Sequence, residues 1–165
     1  MQFAQKFSAT LILFAFALAL LLLPQQSASS AAPAIPDPQA AASEDAVPAF
    51  HAEAPHDALP ATMGADNFSD PVVQNAYTVA ARVKKVLYQE PCYCHCDRSQ
   101  GHGSLLDCFV SKHGSGCQIC VREDLYTYEQ TRKGKTPAQI REGIMRGEWQ
   151  SVDTSKYQTP VPAAK

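Results

Sequence analysis

The first 91 residues contain no cysteine, although the 165-residue chain has six. All six lie between Cys92 and Cys120, so the cysteines belong to one compact module. Charge of either sign is not in excess: the formal net charge is -2. A chain so close to neutral lacks the basic stripe that nucleic-acid binding favours. No Ser-His-Asp order, phosphate loop or paired-carboxylate motif stands out, so catalysis is not expected. Tryptophan occurs once and aromatics make up 8% of the chain. A module this poor in large apolar residues builds a marginal core, of the kind that commonly needs disulfides or a metal. The cysteines are therefore expected to act as staples, whatever else they do.

The longest apolar run is TLILFAFALALLLL, residues 10–23, preceded by Lys6 and followed by Pro24 and small residues. A basic start, a short apolar centre and small residues near a cut site form a secretory signal. The expected signal spans residues 1–30, with cleavage between Ala28 and Ala32. An uncleaved anchor is the rival reading, because the apolar stretch from Phe7 reaches about 17 residues, the lower limit for crossing a bilayer. Only that anchor would give the chain a membrane partner. No cysteine sits near the signal end, which excludes lipid attachment there. Both readings place the rest of the chain outside the cytoplasm.

Residues 31–68 are rich in Ala, Pro, Asp and Glu, and no apolar period survives the prolines. They read as a disordered linker with a reach of roughly 30–40 Å. His51 and His56 lie in it and are expected to be solvated rather than accessory ligands.

The remainder predicts an all-α module over residues 69–150, with about four short helices, and a disordered tail over 151–165. Asp70 and Pro71 announce the first helix, with an apolar face of Val72, Val73, Ala76, Tyr77, Ala80, Val83, Val86 and Leu87. Pro91 stops it. Ser104 and Asp107 form a carboxylate version of a capping box before LLDCFVSKH, a short second helix. A third helix runs over 117–133, with Cys117, Cys120, Val121, Leu125 and Tyr128 on one face. Thr136, Pro137 and Gln139 announce a fourth, with Ile140, Ile144 and Met145 inward. Its two glycines weaken it.

The chemistry lies in PCYCHCDRSQGHGSLLDC, residues 91–108, and in HGSGCQIC, residues 113–120. In an extended segment residues two apart share a side. Cys92, Cys94 and Cys96 would then project together, with Tyr93 and His95 opposite. Cys117 and Cys120 share a face near a helix start, where the dipole favours thiolate. Cys108, His102 and His113 complete the set, His102 on a turn between two glycines. Convergent thiolates and imidazoles are ligands for Zn or Cu(I), whereas Mg or Ca would want carboxylates. Six thiols with His95, His102 and His113 exceed the four ligands of one tetrahedral ion, which allows two ions or a small cluster. The spacing is not that of a zinc finger, a c-type haem site or a ferredoxin.

Two other readings stay open. An even cysteine number in an exported chain suits a disulfide framework. C-x-C partners rarely bridge each other, so bridges would link the triad to Cys108, Cys117 and Cys120. Alternatively Cys117 and Cys120 form a redox pair, though without βαβ surroundings.

PCYCHC, GHGSLLDCF and HGSGCQIC closely resemble the PCYCGC-motif family, over roughly residues 83–147. The resemblance implies an exported bacterial protein, often a lipoprotein in that family, with a small Cys-rich module. Two features depart from it: His95 stands where the motif has glycine, and no lipid-accepting cysteine follows the signal. Together these readings favour a soft-metal-binding module, for Cu(I) or Zn, with a metal-free interaction domain and a thiol oxidoreductase as alternatives.

Overall fold

The computed structural model describes residues 46–162, within a compact unit spanning Ser43–Lys165. The expected signal or anchor and the first part of the linker lie outside the described residues. Four α-helices and several 3-10 turns make up the fold, with no strand among the described residues. No helix among them is long and apolar enough to cross a membrane.

Helix α1 spans Pro71–Leu87. Asp70 caps it as the sequence predicts, its carboxylate accepting from the Val72 N–H at 2.8 Å and the Val73 N–H at 3.3 Å. Its buried face is Val73, Ala76, Tyr77, Val79, Ala80, Val83 and Leu87. Val72 and Val86, expected inward, are only half-buried.

Helix α2, Cys96–Gln100, is a single short turn that the sequence pattern did not announce. The stretch expected as a second helix folds as two 3-10 turns, Leu105–Phe109 and His113–Gly116. The Asp107 carboxylate accepts from the N–H groups of Gly103 at 2.7 Å and Ser104 at 3.2 Å, so half of the expected box is realised.

Helix α3, Gln118–Arg132, packs mainly on α1 and is buried on most sides. Beside the expected Cys120, Val121, Leu125 and Tyr128, it buries Glu123, Asp124, Tyr126, Thr127 and Gln130. Helix α4, Pro137–Met145, starts at a reciprocal box: Gln139 N–H donates to the Thr136 hydroxyl at 3.4 Å, and Thr136 N–H to the Gln139 side chain at 3.0 Å. Ile140 and Ile144 are fully buried, whereas Met145, expected inward, is 47% exposed. Gly143 is needed at the α4 contact, because a Cβ there would run into the Tyr126 hydroxyl.

Two expectations about the flanks are corrected. Residues 46–68 are not a free linker. Met63 N–H donates to the Phe109 carbonyl at 2.8 Å, Phe68 packs on Tyr77 and His51 stacks on Tyr88. The tail likewise returns to α1, where Asn75 donates to the carbonyls of Tyr157 (2.7 Å) and Thr159 (2.9 Å) and accepts from the Val161 N–H (2.9 Å). Side-chain amides satisfy this irregular backbone, a signal that apolar periodicity does not carry.

Candidate metal centre

Three separate segments bring sulfur to one place. Cys92 and Cys94 come from the loop after α1, Cys108 from the first 3-10 turn and Cys120 from the first turn of α3. The Cys92 sulfur lies 3.4 Å from that of Cys120 and 3.9 Å from that of Cys108, and Cys108 and Cys120 are 3.6 Å apart. The Cys94 sulfur lies 3.3 Å from Cys92 and 3.5 Å from Cys120. Four thiolates around one tetrahedral zinc stand about 3.8 Å apart, given Zn–S near 2.3 Å. These separations have the scale of a thiolate cage.

A second group adjoins the first. Cys96, His102, Cys108 and His113 bring their ligand atoms within 4.8 Å of one another, as do Cys92, Cys94, Cys96, Cys108 and Cys120. The Cys96 sulfur is 3.0 Å from His113 Nε2, and the Cys108 sulfur 3.4 Å from His102 Nδ1. Cys96 and Cys108 belong to both groups. The two half-buried imidazoles meet edge to face, 5.0 Å between centroids, above buried sulfurs.

The fold holds these donors from behind. The Tyr77 hydroxyl donates to the Ser111 carbonyl at 2.7 Å and accepts from the Ser115 N–H at 3.1 Å, fixing the turn that carries His113. Gly114 lets that turn approach Cys108, whose carbonyl would lie 2.8 Å from any Cβ added there. Asp107 holds the backbone next to His102. Glu123 accepts from the Tyr93 N–H at 2.9 Å, tying the loop to α3. The sequence reading missed Glu123; its place three residues after Cys120, on the same helical side, was the available signal.

Two expectations about the triad fail. Cys92, Cys94 and Cys96 do not lie on an extended strand. His95 N–H donates to the Cys92 carbonyl at 3.0 Å, closing a turn, and His95 sits in the left-handed region at φ 55°. The same turn brings Cys94 and Cys96 to a Cα separation of 5.6 Å, and they form a disulfide. The expectation that C-x-C partners rarely bridge each other, because so small a loop is strained, is thus overturned: the left-handed turn at His95 sets the two Cα atoms at an ordinary disulfide separation. Cys92, Cys108, Cys117 and Cys120 are free. Cys117 sits half-buried at the N-cap position of α3 and joins neither group, and nor does His95.

The thiols of Cys92, Cys108 and Cys120 stand in a setting that favours their protonated form. For Cys92 the bond with Cys108 pulls the thiol down, but the bond with Cys120, burial and the Glu123 charge push it far above its ordinary value. For Cys108 the bond with Cys120 lowers it, outweighed by the bond with Cys92 and burial. Cys120 is pushed up by its bond with Cys108 and by burial, against the bond with Cys92. Burial, then the neighbouring His113, holds His102 below the usual imidazole range. Neutral imidazole is the ligand form; the thiols need a cation to release their protons.

The family model for proteins of unknown function with PCYCGC motif matches residues 39–162. The chain belongs to this family. The match reaches further on both sides than the motif alone, in keeping with the packed flanks. Comparison with the PCYCGC motif also explains a backbone feature. The motif's glycine falls at position 95, the only non-glycine residue with positive φ among the described residues. Glycine reaches that region without strain, whereas a side chain there costs roughly 1–2 kcal/mol. No curated protein and no solved structure matches the chain.

Proposed function

We propose that this module binds a soft metal ion, Cu(I) or Zn, and serves carriage, sequestration or sensing outside the cytoplasm. One observation carries the reading: Cys92, Cys108 and Cys120 come from three segments, are buried, and stand 3.4–3.9 Å apart without bridging. Thiols are weak hydrogen-bond partners, so mutual attraction is a poor reason for three of them to converge. A cation binding three or four thiolates is a strong one, and its binding energy would supplement a small core.

The rival readings fare less well. A stapled interaction domain needs bridges that span long loops, since cross-link stabilisation grows with loop length. The Cys94–Cys96 bond has a sequence separation of 2 and clasps only its own turn. A redox pair at Cys117 and Cys120 leaves unexplained why the sulfurs of Cys92 and Cys108 stand 3.4 and 3.6 Å from that of Cys120. The apolar run at residues 10–23 supports export.

Native mass spectrometry of protein from the exported compartment, with and without chelator, tests the reading. A metal adduct that chelation removes is expected. A chain that takes up neither Zn(II) nor Cu(I), even when fully reduced, overturns it.

A further inference from the structure

The disulfide and the two donor groups meet at the same atoms. Cys94 belongs to the all-sulfur group, and Cys96 is shared with the group that contains His102 and His113. Bonded to each other, the two sulfurs are poor ligands; thiolates bind soft ions. With the bond intact, the first group keeps Cys92, Cys108 and Cys120. The second keeps only His102, His113 and the Cys108 sulfur that the first group also uses.

We infer that the Cys94–Cys96 disulfide is a redox gate on a second ion in a two-ion centre: reduction completes the Cys96, His102, Cys108, His113 site beside the thiolate site, with Cys108 between them. This rests on the metal reading above and adds its regulation. The reductant class is a dithiol. One of its thiolates attacks the Cys94 sulfur, the more exposed of the pair, since Cys94 is half-buried and Cys96 buried. The Cys94–Cys96 bond breaks and Cys96 leaves as a thiolate, 3.0 Å from His113 Nε2. The second thiol of the reductant then resolves the mixed disulfide, frees Cys94 and departs as a disulfide. Two electrons and two protons pass to the chain, and ion binding later displaces the protons. The gate belongs to the site's own wall, so oxidation removes Cys94 and Cys96 from the first group and Cys96 from the second at once.

The test counts Zn(II) ions by native mass spectrometry. One sample keeps the disulfide, verified by a mass two hydrogens below the reduced chain. The other is reduced with a phosphine, which is removed without air before Zn(II) is added. The expected stoichiometry is one ion with the disulfide and two after reduction. The double variant His102→Ala, His113→Ala should bind one ion in both states. Cys94→Ser cannot form the bond and should bind two ions without reductant, a check independent of the histidine variants. One ion in both states of the wild type, or a second ion retained by the double histidine variant, overturns the gate and leaves the metal reading standing. No ion in either state overturns both.

Discussion

The start and the middle of α3 bury polar atoms in opposite ways. At its start Cys120 faces other sulfurs, and a soft cation could satisfy several of them together. Further along, both Asp124 carboxylate oxygens and the hydroxyls of Thr127 and Thr131 are buried without hydrogen-bond partners. Glu90, just ahead of the PCYC stretch, is in the same position. An unpaired buried charge is far costlier than an unpaired thiol, so burial pushes Glu90 from 4.5 to about 9 and Asp124 well above its usual range. The helix thus has a soft end whose protons a metal can displace and an acidic middle that keeps its protons. One helix carries both because most of its residues are buried, and a polar residue buried on it must find a partner or lose its charge.

The largest effect that separates the start of α3 from its middle is on metal binding. Cys120→Ala or Cys108→Ala should lower Zn(II) affinity by more than about 100-fold, beyond the loss expected for an outer-shell partner; competition with a chromophoric chelator measures it. Asp124→Asn should leave affinity within a few-fold. Equal losses at the two positions would dissolve the distinction.

Next comes pH. Between about 4.5 and 9 the folded chain holds the Glu90 proton that the unfolded chain releases, so the folded state binds more protons and stability falls as pH rises. Asp124 acts in the same direction. The metal-free protein should lose about 5 kcal/mol of stability from pH 5 to pH 9 in urea titrations, and Glu90→Gln should flatten that slope. Metal affinity should run the other way, rising with pH as the thiols give up protons.

Gly143→Ala is expected to cost about 2 kcal/mol, because the added methyl meets the Tyr126 hydroxyl and repacks α4 on α3. Thermal unfolding would register it, with metal stoichiometry unchanged. The smallest effect is His95→Gly, which should stabilise the chain by about 1 kcal/mol by relieving the left-handed position. Zn(II) stoichiometry should not change, since His95 joins neither donor group. A drop on His95→Gly would return His95 to the ligand set.

The helices were legible where a side chain caps a backbone locally. Asp70 with Pro71 and Thr136 with Gln139 gave the starts of α1 and α4 correctly. The pattern failed where the deciding contact is remote. Nothing within the tail predicts order, yet Asn75, 82 residues away from Tyr157, binds it. The donor set was legible as residue types and failed as geometry. Alternation in PCYCHC suggested one extended wall, but a turn at His95 bonds Cys94 to Cys96 and directs Cys96 towards His113.

By itself, the sequence determined the cysteine-rich module, its helical class and the soft character of its donors, because composition and capping are local properties. Only the tertiary structure decided which sulfurs meet. Cys92, Cys108 and Cys120 are 12 to 28 residues apart, and their convergence depends on α1 packing against α3 across the intervening turns. The division into two groups, joined at Cys96 and Cys108, follows from that packing and is written in no spacing along the chain.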